Sequence, residues 1–197
     1  MKFLIFAMSL AATGVAHAES GTDPDWPCIQ RKQPHLSLGQ MWTGPEPDDA
    51  VRELARSPDI AHLADRLEQR RLPIDQATAE IGTFAAQADN AKLTALMVAV
   101  LDRIEPQRSA LISGIARYGH KQVDLAKRIE DHRAKMAEME KAPSPDFDAI
   151  DEQEKQLDWD MRIFQDRQQS LTYVCETPVI LEQRVFALAR AIQAGLK

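Results

Sequence analysis

The chain has 197 residues, of which 44% are hydrophobic and 27% charged, and its formal net charge at neutral pH is −6. An acidic surface disfavours non-specific binding to nucleic acid and attraction to an anionic membrane. The length suits one domain with a real core, and the two cysteines allow a single intramolecular bridge.

Residues 1–18 open with Lys2, continue through an apolar run from Phe3 to Leu10 and on through Ala11, Ala12 and Val15, and close on Ala16-His17-Ala18. This is the pattern of a secretory signal peptide with cleavage after Ala18, which leaves a soluble exported protein beginning at Glu19. The run is shorter than the roughly 20 residues that span a bilayer, so no stable membrane insertion is expected after cleavage. Cys28 lies ten residues beyond the cleavage point, whereas a lipid-bearing cysteine would be the first mature residue. In an oxidising compartment Cys28 and Cys175 most simply form one disulfide. It would close a loop of 147 residues and contribute about 4 to 5 kcal/mol on a chain-entropy argument. A reactive thiol or a metal site is the alternative, although there is no CxxC or CxxCH.

Residues 19–47 hold five of the eleven prolines together with Trp26, Met41 and Trp42. Proline lacks the backbone donor and restricts its predecessor, so this segment is expected to be an extended arm. Its two tryptophans are costly to leave in water, which lays the arm against the helices, pinned by Cys28.

From Asp48 the punctuation is helical, and no segment reads convincingly as a strand. Ser57-Pro58-Asp59 and Ser144-Pro145-Asp146 repeat one start signal: a serine cap, proline at the first helical position, and an acid that suits the macrodipole. Pro73 and Asp89 mark two further starts. Helices are predicted near 48–56, 58–71, 74–88, 90–105, 106–142, 145–176 and 178–196. The stretch 91–104 is apolar nearly all round and should form the centre of the core. Pro106 and Pro178 are expected to interrupt the two long runs at nearly the same height.

Two stretches carry mirror-image heptad seams. The first runs Leu111, Ile115, Tyr118, Gln122, Leu125, Ile129, His132, Met136, Met139, and the second Phe147, Ile150, Glu154, Leu157, Met161, Phe164, Gln168, Leu171, Cys175. If the chain folds back near Ser144, Met139 faces Phe147 and every later pair stays in step down to Leu111 and Cys175. The expected fold class is therefore all-α. A helical bundle from residues 48–105 and 178–197 carries an antiparallel coiled-coil hairpin over 106–177, with its turn near 143–145 and arms of roughly 50 Å.

His132 and Glu154 interrupt the seam opposite each other and read as a register-setting polar pair. A sharper alternative adds Met136 and Met139 on the same face, making a cluster suited to a soft metal such as Cu(I). Methionine near a hairpin tip is more often a gap filler. Tyr118 and Gln168 form a second polar layer, while Gln122 opposite Phe164 has no such partner and is expected to reach solvent. Gly114 and Gly119 each cost about 1 kcal/mol inside a helix, so either another backbone approaches there or the helix is irregular. Asp146, Asp148, Asp151, Glu152 and Glu154 lack the glycine turn and spacing of an EF-hand and are explained by favourable charge at a helix start.

Trp159 and Tyr173 occupy the heptad position farthest from the seam, so neither can be core of a two-helix hairpin. Aromatic anchors are enriched at binding hot spots, which makes both candidate partner-binding residues. The competing expectation is that the arm covers them, and for Tyr173, two residues from Cys175, arm packing fits better. No GxSxG, HExxH, phosphate loop or GxGxxG is present, and no catalytic residue or cofactor is expected.

The stretch Asp25-Trp26-Pro27-Cys28-Ile29-Gln30-Arg31, followed by Met41-Trp42-Thr43-Gly44-Pro45, resembles the opening of secreted proteins of alphaproteobacteria that share a DWPCxQR start. The resemblance implies a Gram-negative periplasm and carries no activity. In shape alone the hairpin is similar to those of periplasmic adaptor proteins and of a jellyfish-like outer-membrane chaperone, an analogy of fold that decides no function. These readings lead to a non-enzymatic periplasmic protein that presents its hairpin to a protein partner or to a second copy of itself. Copper handling at the hairpin tip and a holdase role are the alternatives.

Overall fold

The computed structural model describes residues 26–197; the expected signal peptide, its cleavage point and the first residues of the arm lie outside the described residues. The described chain is all-α, with six helices and no strand among the described residues. These are α1 (Leu38–Met41), α2 (Asp49–Leu54), α3 (Pro58–Leu67), α4 (Ile74–Ala85), α5 (Asn90–Glu140) and α6 (Phe147–Gln193).

Helix starts follow the local chemistry with one displacement. The Asp48 and Asp89 carboxylates accept from Val51 N and Lys92 N, each at 2.8 Å, capping α2 and α5. Ser57 precedes Pro58 as expected, but its side chain makes no cap bond. The second start signal is shifted: Asp146, not Ser144, caps α6 by accepting from Ala149 N at 3.1 Å. A carboxylate is a stronger acceptor than a hydroxyl at the positive end of a helix, and it sets the start two residues later.

The expected breaks at Pro106 and Pro178 do not occur, and α5 and α6 run continuously through them for 51 and 47 residues. At 1.5 Å per residue α5 is about 76 Å long. Each proline removes one intrahelical bond at a cost of about 3 kcal/mol. Burial on either side outweighs that loss: Ile104 and Arg108 flank Pro106, Cys175 and Leu181 flank Pro178, and all four are buried.

The principal core lies where α3 and α2 pack on α5 and α4 packs on α6. Leu93 to Leu101 are buried all round, joined by Ile60, Leu67, Ile81, Leu188 and Ile192. Arg184 is enclosed by this assembly. Its Nε donates to Leu67 O at 2.8 Å and its Nη1 to Leu72 O at 2.9 Å, and burial lowers its pKa from the ordinary guanidinium value. On the surface, the hydrogen bond and charge of Arg66 hold the Glu80 carboxyl below the usual carboxylate range.

Beyond the core α5 and α6 continue together and reverse through residues 141–146. A second, separate cluster of Leu125, Ile129 and Leu157 stabilises this hairpin, with Met136, Met161, Ile163 and Phe164 packed against it. Gly114 shows no close approach, since an added Cβ would meet only the tip of Arg117 at 3.8 Å. Gly119 is buried, and the helix is unbroken through both glycines.

The described part of the arm, residues 26–47, is without regular structure except for the single turn α1. Cys28 is bonded to Cys175. Farther along, Gln33 O accepts from Arg108 Nη1 at 2.8 Å and Leu36 N donates to Glu105 at 3.1 Å. Trp42 is buried, and its indole donates to Pro45 O at 2.8 Å. Gly44 is required where it stands, because a Cβ would lie 2.3 Å from the Trp42 ring and 2.9 Å from Leu196.

Candidate interaction surface

The α6 sequence sorts its side chains by angle around the helix. Leu157, Met161, Phe164 and Cys175 turn toward α5, and the residues about half a turn away must face out. Trp159 is 58% exposed and Tyr173 76% exposed, so the described part of the arm, residues 26–47, covers neither. For Tyr173 this corrects the expectation of arm packing. Two residues correspond to about 200° of rotation, which places Tyr173 on the side opposite the disulfide despite its proximity in sequence. Val174 and Ile180, also exposed, extend the same side toward the bundle.

Of the acids that flank Trp159, only Asp158 is exposed. Asp160 is buried, with its carboxylate 3.0 Å from Arg128 Nε, and this ion pair joins the flanks of α5 and α6 next to Trp159. Ile163 is half-buried against the hairpin cluster one turn further on. Trp159 therefore stands on a base fixed by an ion pair and by apolar packing.

The polar layers of the seam form with partners one residue away from those expected. His132 Nδ1 is 3.1 Å from Gln153 Nε2, whereas Glu154 is exposed. A carboxylate keeps its hydration better outside a half-dry seam, while a neutral amide can satisfy an imidazole within it. Tyr118 donates to the backbone carbonyl of Arg167 at 3.1 Å instead of meeting Gln168, which is exposed. Gln122 does not reach for solvent, since its amide donates to Phe164 O at 3.2 Å. Met136 packs against the hairpin cluster, so the proposed His132, Met136 and Met139 group has one ring nitrogen and one thioether engaged in holding the seam. Among the described residues no three His, Cys, Asp or Glu side chains are gathered as a metal would need.

One constellation was not legible in the sequence, because its members are far apart along the chain. His35 Nδ1 lies 3.2 Å from Glu105 Oε1 and 3.1 Å from Ser109 Oγ, and that hydroxyl is 2.6 Å from the same carboxylate oxygen. The residue types are those of a hydrolytic triad, but the geometry is not. Both contacts converge on one ring nitrogen, so the imidazole cannot take a proton at one nitrogen while being held at the other. The cluster instead fixes the arm to α5. Between the arm and α6 a groove of about 730 Å³ remains, lined by Gln30, Gln33, Leu36, Val179, Glu182 and Phe186.

Neither the family models nor the curated proteins nor the solved structures compared with this chain give a match.

Among the described residues no helix is long and apolar enough to cross a membrane. The outward face of α6 carries the exposed Trp159, Tyr173, Val174 and Ile180 on a helix packed along α5. Rigid presentation lowers the ordering cost of binding, and large aromatic side chains supply contact area with few torsions to freeze.

Proposed function

We propose that this protein is a non-enzymatic periplasmic interaction protein that presents its hairpin to a protein partner. The reading is carried by Trp159 and Tyr173, which are exposed on one face of α6 at a separation of about 21 Å along the helix axis. A tryptophan left in water on a rigid helix is an anchor for something else to cover. The compartment is supported by the sequence pattern of residues 1–18 and by the Cys28–Cys175 bridge, which suits an oxidising environment.

The test separates binding from folding. In the Trp159→Ala/Tyr173→Ala variant both truncated side chains are solvent-exposed, so the melting temperature should stay within about 2 °C of the parent. The same variant should lose the protein that cross-links to the parent in periplasmic extract. Undiminished cross-linking by the folded variant overturns the proposal.

A further inference from the structure

The exposed residues of α6 form a second seam of their own. Trp159, Ile163, Asp166, Ser170, Tyr173 and Val174 follow the 3-4 spacing of a coiled-coil face and fall within about one third of a turn of one another. All but Ile163 are exposed. Apart from Ile163, whose side chain also packs against the hairpin cluster, this face lies away from α5, and it repeats the pattern that pairs α5 with α6, now without a partner helix in the same chain.

Its order is self-complementary. When a second α6 is laid antiparallel across the first, with the two-fold axis passing between residues 166 and 167, Trp159 meets Tyr173 and Val174 of the other copy. Ile163 then meets the small Ser170, and Asp166 meets Arg167 twice, once on each side of the axis. Among the described residues neither the Asp166 carboxylate nor the Arg167 guanidinium has an ion-pair partner within the chain. A two-fold interface requires one patch to complement itself, and opposite charges on adjacent residues at the axis meet that requirement.

The bundle limits the contact. Arg184 is bound to the carbonyls of Leu67 and Leu72 on the flank of α6 that continues this face, so a second helix cannot run along it past Thr177. The two helices must cross at an angle, and the contact is confined to residues 159–174. So few turns bury less than the roughly 1,200 Å² of a standard interface, which corresponds to a reversible association.

We infer that the partner of this face is a second copy of the chain, joined in an antiparallel α6–α6 crossing centred on reciprocal Asp166–Arg167 ion pairs with Trp159 seated against Tyr173 and Val174. The inference rests on the preceding reading of the α6 face as an interaction surface.

Sedimentation equilibrium of the mature protein from about 5 to 500 μM should show a monomer converting to a dimer across that range. Asp166→Arg sets two arginines against each other at the axis and should weaken the dimer at least about tenfold. The D166R/R167D double variant restores opposite charges in swapped order and should recover the parent association. Trp159→Ala should weaken the dimer while its melting temperature, read at a concentration where the parent is monomeric, stays within about 2 °C of the parent. A parent protein that stays monomeric throughout overturns the inference. So does a dimer indifferent to Asp166→Arg and Trp159→Ala, and so does a double variant that fails to recover. A monomeric parent whose Trp159→Ala/Tyr173→Ala variant still loses a different cross-linked protein would overturn self-association alone and leave the interaction reading standing.

Discussion

Arg184 illustrates how one side chain can hold two elements to a third. It projects from α6 into the core and donates to Leu67 O, at the end of α3, and to Leu72 O, in the link to α4. The last carbonyls of a helix lack partners, and a cation placed there satisfies them and suits the macrodipole. Burial lowers the pKa of the guanidinium but leaves it charged, so the group is a permanent donor. Replacement by alanine strips two enclosed carbonyls of their donors and leaves a cavity. Arg184→Ala is therefore expected to reduce stability by about 3 kcal/mol, read as a lower urea midpoint at unchanged slope. Arg184→Lys should recover only part of that loss, because a point-like ammonium cannot reach both carbonyls as a planar fork does. Full recovery by lysine would mean that charge alone matters at this site.

At the scale of elements the hairpin depends on a small cluster. Leu125 is 1% exposed and packs with Ile129 and Leu157 well away from the principal core. Leu125→Ala should cost about 2 to 4 kcal/mol, and the loss should be local. Amide exchange should accelerate over residues 118–168 while residues 93–101 keep their protection, since α5 and α6 are held by a separate cluster at the bundle. Equal acceleration in both regions would show that the molecule unfolds as one unit. The hairpin was legible in the sequence because a heptad seam is a long, redundant pattern, in which Leu125, Ile129 and Leu157 each point to the same fold-back. Single residues were less legible. Proline signals a break by local rules, yet at Pro106 and Pro178 the burial of residues on both sides prevailed over the lost backbone bond. His132 and Tyr118 found partners one residue from those expected, because long polar side chains choose by hydration and reach as well as by register. The aromatic face of α6 was readable as a heptad position turned outward; whether the arm covered it was not, because the path of an extended segment leaves no periodic signal. The His35, Glu105 and Ser109 cluster left none for the same reason.

Across the whole molecule the arm works as a strap, and its two ends are held by different chemistry. At one end the Cys28–Cys175 bond closes a loop of 147 residues, most of the described chain. Closing so long a loop restricts the unfolded ensemble and contributes up to about 5 kcal/mol without any demand on native contacts. At the other end Arg108 holds Gln33 O, Glu105 holds Leu36 N, and Trp42 is buried beside Leu196. These contacts do not involve the bond and should survive its removal. The Cys28→Ser/Cys175→Ser variant is accordingly expected to keep its helical circular dichroism and the slow exchange of residues 93–101. Its urea midpoint should fall, and exchange should become fast only in the arm before Gln33. Ile29 is already almost fully exposed, so little apolar contact opposes that release. The groove beneath the strap, bounded by Val179 and Phe186, would then open to solvent on one side. Loss of helix content in this variant would show instead that the arm organises the bundle, and that Cys175 transmits strain between the hairpin and the principal core.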